Sequence, residues 1–246
     1  EWLLIEYACA LAGLVLVTAN PSYQDKELRY VLEQSGSVAL FLVKHYRGNP
    51  MHEIALKATE DLAAVREIVD VDDHAALFRT GHRASVLPDV YPNDPAQIQY
   101  TSGTTGFPKG AVLAHRSLTN NARFYAKRAL ATSESTWANF MPMFHTSGCG
   151  MISLGCLQFG CKMVLFKLFD PAAILRIIES EHITGMLGVP TMLVALLESL
   201  SVEPADVSSM EMVVSGGAMV APELVRNIQH AFDCKFETVY GQTETS

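Results

Sequence analysis

The stretch that decides the fold class is Leu3-Leu4-Ile5-Glu6-Tyr7-Ala8-Cys9-Ala10-Leu11-Ala12-Gly13-Leu14-Val15-Leu16-Val17-Thr18-Ala19. It is apolar except for Glu6 and barely long enough to cross a bilayer, which takes about 20 apolar residues. Gly13 divides it. Glycine is a common stop for a helix, the residues after it make a run of strand length, and Asn20-Pro21 then turn the chain. The stretch therefore reads as a buried helix ending at Gly13 and a buried strand over 14–18, not as a membrane span. The same grammar recurs at 152–166, where a helix over 152–159 meets Gly160 and a strand candidate follows over 162–166. Two such units indicate alternating α/β structure with a parallel sheet covered on both faces.

The rest of the chain fits that frame. Residues 24–34 make an amphipathic helix with Leu28, Val31 and Leu32 on one side. Strands are expected over 38–43, 65–71, 96–101, 111–114, 183–188, 211–215 and 235–239. Helices are expected over 51–64, 118–130, 171–181, 190–200 and 221–232. Residues 72–95, with Pro88, Pro92 and Pro95, read as a connecting loop. Ala131-Thr132-Ser133-Glu134-Ser135 breaks the periodicity and marks a boundary. It separates a subdomain over 1–130 from a second over 131–246.

Composition narrows the function classes. With 49% hydrophobic residues in 246, the chain is not a disordered one. Eighteen basic against 26 acidic residues leave a net charge of −8, which argues against a nucleic-acid partner. Cys9, Cys149, Cys156, Cys161 and Cys234 form no C-x-x-C pair and read as free thiols of a reducing compartment. A cytoplasmic location is expected, with association at a membrane periphery left open. Asp70, Asp72, Asp73 and His74 read as a solvated strand exit, not a metal site. Arg123, Lys127 and Arg128 read as a solvated helix face.

The strongest chemical feature is Tyr100-Thr101-Ser102-Gly103-Thr104-Thr105-Gly106-Phe107-Pro108-Lys109-Gly110. Glycines let backbone N–H groups converge on an anion, Ser and Thr hydroxyls add donors, and Lys supplies a point charge suited to phosphate. A plain hairpin loop seldom needs all of these together. Pro108 before Lys109 and Gly110 after it exclude the P-loop pattern, and the glycine spacing excludes the dinucleotide fingerprint.

This string resembles the phosphate loop of the adenylate-forming (AMP-binding) superfamily, and further stretches resemble that family's motifs in the same order. These are Pro142-Met143-Phe144-His145, Val189-Pro190-Thr191, Ser215-Gly216-Gly217-Ala218 and Tyr240-Gly241-Gln242-Thr243-Glu244. The resemblance covers the whole chain and is closest to fatty- or aryl-acyl-CoA synthetases. It implies two α/β subdomains with mainly parallel sheets and a nucleotide held between them. It also implies a two-step reaction: a carboxylate attacks the α-phosphate of ATP to give an acyl-adenylate and pyrophosphate, and the thiol of CoA then displaces AMP.

Residue by residue, the resemblance assigns Thr101, Ser102, Gly103, Thr104, Thr105, Gly106 and Lys109 to the ATP phosphates. Gly216, Gly217, Ala218, Tyr240, Gly241 and Gln242 fall on the adenine side. Thr243 is assigned to the α-phosphate, and Glu244, with Thr104, to Mg²⁺. His145, Val189, Pro190 and Gly216 are assigned to the acyl substrate. Lys109, His145, Thr243 and Glu244 are the expected catalytic set, and ATP, Mg²⁺ and CoA the expected cofactor and co-substrates. Amino-acid-activating relatives place an Asp directly after the Phe of the Phe-His motif; here His145 stands there, and 144–148 holds no carboxylate. An acid with an apolar tail is therefore the expected substrate. Amino-acid adenylation, luciferase-like chemistry and a non-catalytic nucleotide-binding remnant stay open as alternatives. Family members continue past the Tyr-Gly-x-Thr-Glu motif to further ribose, CoA and lysine elements. A chain spanning only these motifs, without a barrel subdomain or C-terminal lid, is expected to give little turnover alone.

Overall fold

In a computed structural model of the chain, the described residues are 1–78, 86–101 and 108–245. Two compact units emerge, Glu1–His115 and Arg116–Ser246, and each is described by itself.

The first unit runs α1 (Trp2–Leu11), β1 (Leu16–Thr18), α2 (Asp25–Ser35), β2 (Ala39–Leu42), α3 (Met51–Thr59), β3 (Glu67–Asp70), α4 (His74–Leu77), β4 (Pro95–Thr101) and β5 (Lys109–Ala114). β1 pairs parallel with β4, β4 antiparallel with β5, and β2 parallel with β3. Helix α2 starts in a reciprocal cap between Gln24 and Glu27 and stops at left-handed Gly36. Its buried Leu28 and Leu32 pack with Leu42 of β2 and with Ile54, Ala55 and Ala58 of α3. Each such Leu or Ile side chain contributes about 1.5–3 kcal/mol.

Two expectations are corrected here. Helix α1 is not buried: Leu4 is 57% and Leu11 61% exposed, as are Leu14 (57%) and Val15 (41%), so only 16–18 of the expected strand pairs. The buried side chain of α1 is its one charge. Glu6 accepts a hydrogen bond from Gln97 Nε2 at 2.6 Å, and Gln99 Nε2 donates to Gln97 Oε1 at 2.9 Å. A buried carboxylate needs such donors. The helix expected to reach residue 64 stops at Thr59, because Arg29 of α2 captures the Glu60 carbonyl at 2.6 Å and Asp61 turns left-handed. At the end of β3, Asp70 pairs with Lys44 at 3.1 Å, and the stretch expected as a plain connecting loop holds α4, whose His74 pairs with Glu1 at 2.7 Å.

The second unit contains most of α5 (His115–Arg128), then β6 (Thr136–Asn139), a π-helix (Ser147–Leu154), α6 (Gly155–Phe159), β7 (Lys162–Leu165), α7 (Pro171–Glu181), β8 (Gly185–Gly188), α8 (Pro190–Val202), β9 (Met212–Gly216), α9 (Pro222–Phe232), β10 (Lys235–Val239) and a closing turn, Thr243–Thr245. Its five strands are all parallel, in the order β10-β9-β8-β6-β7. Helices α7, α8 and α9 each begin with a proline in the first turn, where the missing N–H has no intrahelical partner to lose. Asp170 caps α7 by accepting from the Ala173 amide at 3.1 Å. Met186, Leu193, Leu196, Ile174, Ile178 and Ile228 are fully buried in one core around this sheet. The helix expected over 152–159 is in fact a π-helical segment joined to a short α-helix.

None of the five cysteines is in a disulfide, and burial pushes the thiol of Cys156 up to about 12 and that of Cys234 up to about 11. Among the described residues, no helix is long and apolar enough to cross a membrane.

Candidate functional site

In the second unit the chain order and the strand order part company at one place. From β6 the chain moves to β7 on one side, then returns to β8 on the other side and continues outward to β9 and β10. The carboxyl ends of β6 and β8 therefore open a crevice at a topological switch point, where open α/β sheets bind ligands. Four of the five motif stretches leave the sheet along this edge: 142–145 after β6, 189–191 after β8, 215–218 at the end of β9 and 240–244 after β10. A depression of about 490 Å³ in this unit lies at the opposite edge, beside Ser135, Thr184, Glu211 and Asp233. The motif residues leave the sheet elsewhere, so the carboxyl edge is the candidate.

Backbone packing joins the motifs. Ser215, fully buried, donates from Oγ to the Gly188 carbonyl at 2.9 Å and so ties β9 to the start of the Val189-Pro190 segment. Gly217 is left-handed, and a Cβ there would lie 3.5 Å from Val189 Cγ1. Gly216 faces Val239 across the ladder so closely that a Cβ would lie 2.5 Å from the Val239 carbonyl oxygen. Only glycine permits that approach. Gly216 is buried while Gly217 and Ala218 are exposed. Beyond Val239, the Tyr240 ring is 90% exposed, and its hydroxyl accepts from Gln242 Nε2 at 3.1 Å. Gly241 is open, and Thr243 and Glu244 form the turn that follows, with Thr243 half-buried and Glu244 exposed. Thr245 closes the turn by donating to the Gln242 carbonyl at 2.8 Å.

His145 lies in the turn between β6 and the π-helix. Its Nδ1 accepts from the Ser147 amide at 3.2 Å, with Ser147 Oγ at 3.3 Å. A backbone N–H can only donate, so the neutral ring carries its hydrogen on Nε2. The ring keeps a solvent-accessible edge, yet the surrounding turn desolvates it enough to lower its pKa below the usual 6.5. His145 is thus a neutral imidazole that presents an Nε2–H donor.

The turn is held by residues that sequence reasoning missed. Asn139, the last residue of β6, has no exposed surface. Its Nδ2 donates to the Gly148 carbonyl at 3.1 Å and to Ser153 Oγ at 3.1 Å, and its Oδ1 accepts from the Met141 amide at 3.3 Å. Ser153 Oγ in turn donates to the Gly148 carbonyl at 2.7 Å. Gly148 packs so tightly that a Cβ would lie 2.5 Å from the Pro142 carbonyl oxygen. The one available signal was a polar residue inside the apolar run Trp137-Ala138-Asn139-Phe140. π-Helical segments occur often beside functional groups.

In the first unit, Thr101 and Lys109 end β4 and begin β5 and face each other across the antiparallel ladder; Thr101 Oγ1 donates to the Lys109 carbonyl at 3.5 Å. Ser102, Gly103, Thr104, Thr105 and Gly106 lie outside the described residues. For a cation, Glu244 offers one exposed carboxylate that no hydrogen bond or ion pair engages among the described residues. That suits Mg²⁺, which is commonly held by one or two carboxylates plus substrate phosphates.

A protein-family model described as AMP-binding enzyme matches residues 1–246. The chain is 32% identical over 279 aligned residues to a mitochondrial medium-chain acyl-CoA ligase of Macaca fascicularis, covering 100% of this chain and 45% of that protein. It is 30% identical over 266 residues to an acyl-CoA ligase of Ajellomyces capsulatus, covering 100% and 45%. The crystal structure of ATP-bound MatB from Rhodopseudomonas palustris superposes with a TM-score of 0.84 at 26% identity, covering 99% of this chain and 48% of that one. The chain spans about half the length of the curated relatives it matches.

Proposed function

The chain belongs to the AMP-binding enzyme family, and from that premise we propose that its protein activates a carboxylic acid with ATP and passes the acyl group to CoA, releasing AMP and pyrophosphate. The observation that carries the proposal is the convergence of four motif stretches on the carboxyl edge of one parallel sheet, at its switch point. The relatives named above are acyl-CoA ligases, which supports the thioester half of the reaction.

In this reading the exposed Tyr240 ring stacks on adenine, with Gly216, Gly217, Ala218, Gly241 and Gln242 beside it. Thr243 donates to the α-phosphate. Lys109, with Thr101, Ser102, Gly103, Thr104, Thr105 and Gly106, grips the outer phosphates. Glu244, with Thr104, holds Mg²⁺, which when bound offsets the charge that grows on the phosphates. His145 donates from Nε2 to an oxygen of the substrate carboxylate as it is oriented for attack, and Val189, Pro190 and Gly216 border the acyl chain. The absence of a carboxylate from 144–148 favours a fatty or aryl acid, since a substrate ammonium would find no counter-charge there. The division of labour follows a subdomain over 1–130 and a second over 131–246.

The test is formation of CoA thioesters by the whole protein from a panel of fatty, aryl and amino acids. The proposal expects ATP- and CoA-dependent thioester with fatty or aryl acids. Formation of aminoacyl products alone, or ATP-independent turnover, contradicts it.

A further inference from the structure

The segment that leads into Lys109 is anchored by a tyrosine outside every motif. Tyr30, half-buried on α2, donates from its hydroxyl to the Pro108 carbonyl at 3.2 Å. Gln34, one turn further along α2, donates from Nε2 to that same hydroxyl at 2.8 Å. The Pro108 carbonyl can only accept, so the Tyr30 hydroxyl donates there while its oxygen accepts from Gln34, and the direction of both bonds is set. Proline has no N–H, and its carbonyl is the only backbone group by which Pro108 can be held.

A second contact fixes the same stem from the strand side. Tyr100 stands opposite Gly110 in the ladder, and a Cβ on Gly110 would lie 3.2 Å from the Tyr100 ring and 2.9 Å from Ile98 Cγ2. The glycine leaves room for the ring to lie across β5. Tyr30 meets that ring edge-on, with centroids 6.5 Å apart, and the Tyr100 hydroxyl reaches the Val31 carbonyl at 3.4 Å. The two tyrosines tie α2 to both sides of the Lys109 position, along an open depression of about 510 Å³ beside Lys109.

We propose that Tyr30, oriented by Gln34 and braced by Tyr100, is a positioning residue that sets the backbone at Pro108 and thereby aims Lys109 at the outer phosphates of ATP. The inference rests on the assignment of Lys109 to those phosphates. It has a signature that general loosening lacks: the penalty falls on a ligand carrying β- and γ-phosphates and spares AMP, which has neither.

The experiment compares Tyr30→Phe, Gln34→Leu and Lys109→Ala in the whole protein, reading the KM for ATP, the KM for the acid, the Kd for AMP and the melting temperature. Loss of one hydrogen bond predicts a rise of about threefold to tenfold in the KM for ATP with Tyr30→Phe and a smaller rise with Gln34→Leu. The KM for the acid, the Kd for AMP and the melting temperature stay near wild type. If Lys109→Ala weakens ATP while Tyr30→Phe leaves it unchanged, the positioning role is overturned and the assignment of Lys109 stands. Should neither variant change ATP, the assignment of Lys109 fails and the inference falls with it. A Tyr30→Phe protein that loses ATP, AMP and thermal stability together shows a merely structural tyrosine and also overturns the proposal.

Discussion

At the scale of single residues, protonation of His145 and the space at Gly216 give the sharpest expectations. Neutral His145 accepts at Nδ1 from Ser147, and a second ring hydrogen would be driven against that N–H. Burial lowers its pKa beneath the ordinary 6.5, so between the two values the unfolded chain binds more protons than the folded one. His145 therefore contributes a stability that rises with pH through this window and is lost toward acid. The His145-dependent limb of kcat/KM is expected on the acid side, below pH 6.5, and is expected to be missing from the profile of His145→Gln. A limb centred at or above 6.5 contradicts the assignment. Gly216→Ala would set a methyl 2.5 Å from a backbone carbonyl that cannot swing away. Overpacking of this kind costs about 1–3 kcal/mol, read as a lower urea midpoint; an unchanged midpoint would show that the β9–β10 edge is looser than described.

At the scale of elements, the π-helix and the strand before it act together. Asn139→Ala strips the Met141 amide of its acceptor in a fully buried place, and about 1–3 kcal/mol of stability should go with it. Ser153 shares the Gly148 carbonyl with Asn139, so the double variant should lose less than the two single losses combined, by a coupling of at least about 0.5 kcal/mol in a double-mutant cycle. Strict additivity would mean the two side chains do not form one network. These are also the elements where sequence reasoning stopped short. Helix–Gly–strand grammar found α1 with β1 and α6 with β7, because a left-handed glycine has a local cause: Gly13 and Gly160 both have positive φ. Burial has no local cause. The leucines of α1 looked like core, yet Gln97, itself held by Gln99, selects Glu6. A π-helix leaves no mark in a 3.6-residue periodicity over a stretch as short as 147–154. The motif residues were legible as strings. Asn139, Tyr30 and the tautomer of His145 were not, since each depends on a neighbour distant in sequence or on a backbone turn.

At the scale of the molecule, strand order was the largest feature hidden from the sequence, because nothing local states that β8 pairs with β6 and not with β7. That order creates the crevice on which the account depends. It also concentrates apolar burial in the second unit, where Val213, Met186, Ile174 and Ile228 are inaccessible, whereas the first unit has a small core around Leu32 and Ala55. Amides of β8 and β9 should therefore exchange with deuterium last and those of β2 and β3 well before them, followed by mass spectrometry of peptides. The reverse order would contradict this distribution of stability. The central claim is that this chain carries the ATP-using half of an acid-activating site. Its most direct test is acid-dependent exchange of labelled pyrophosphate into ATP by the whole protein, with Glu244→Gln and Lys109→Ala in parallel. The account predicts exchange that requires both Mg²⁺ and a carboxylic acid and falls at least about tenfold in each variant. Exchange that ignores the acid, or that survives both substitutions unchanged, would contradict it.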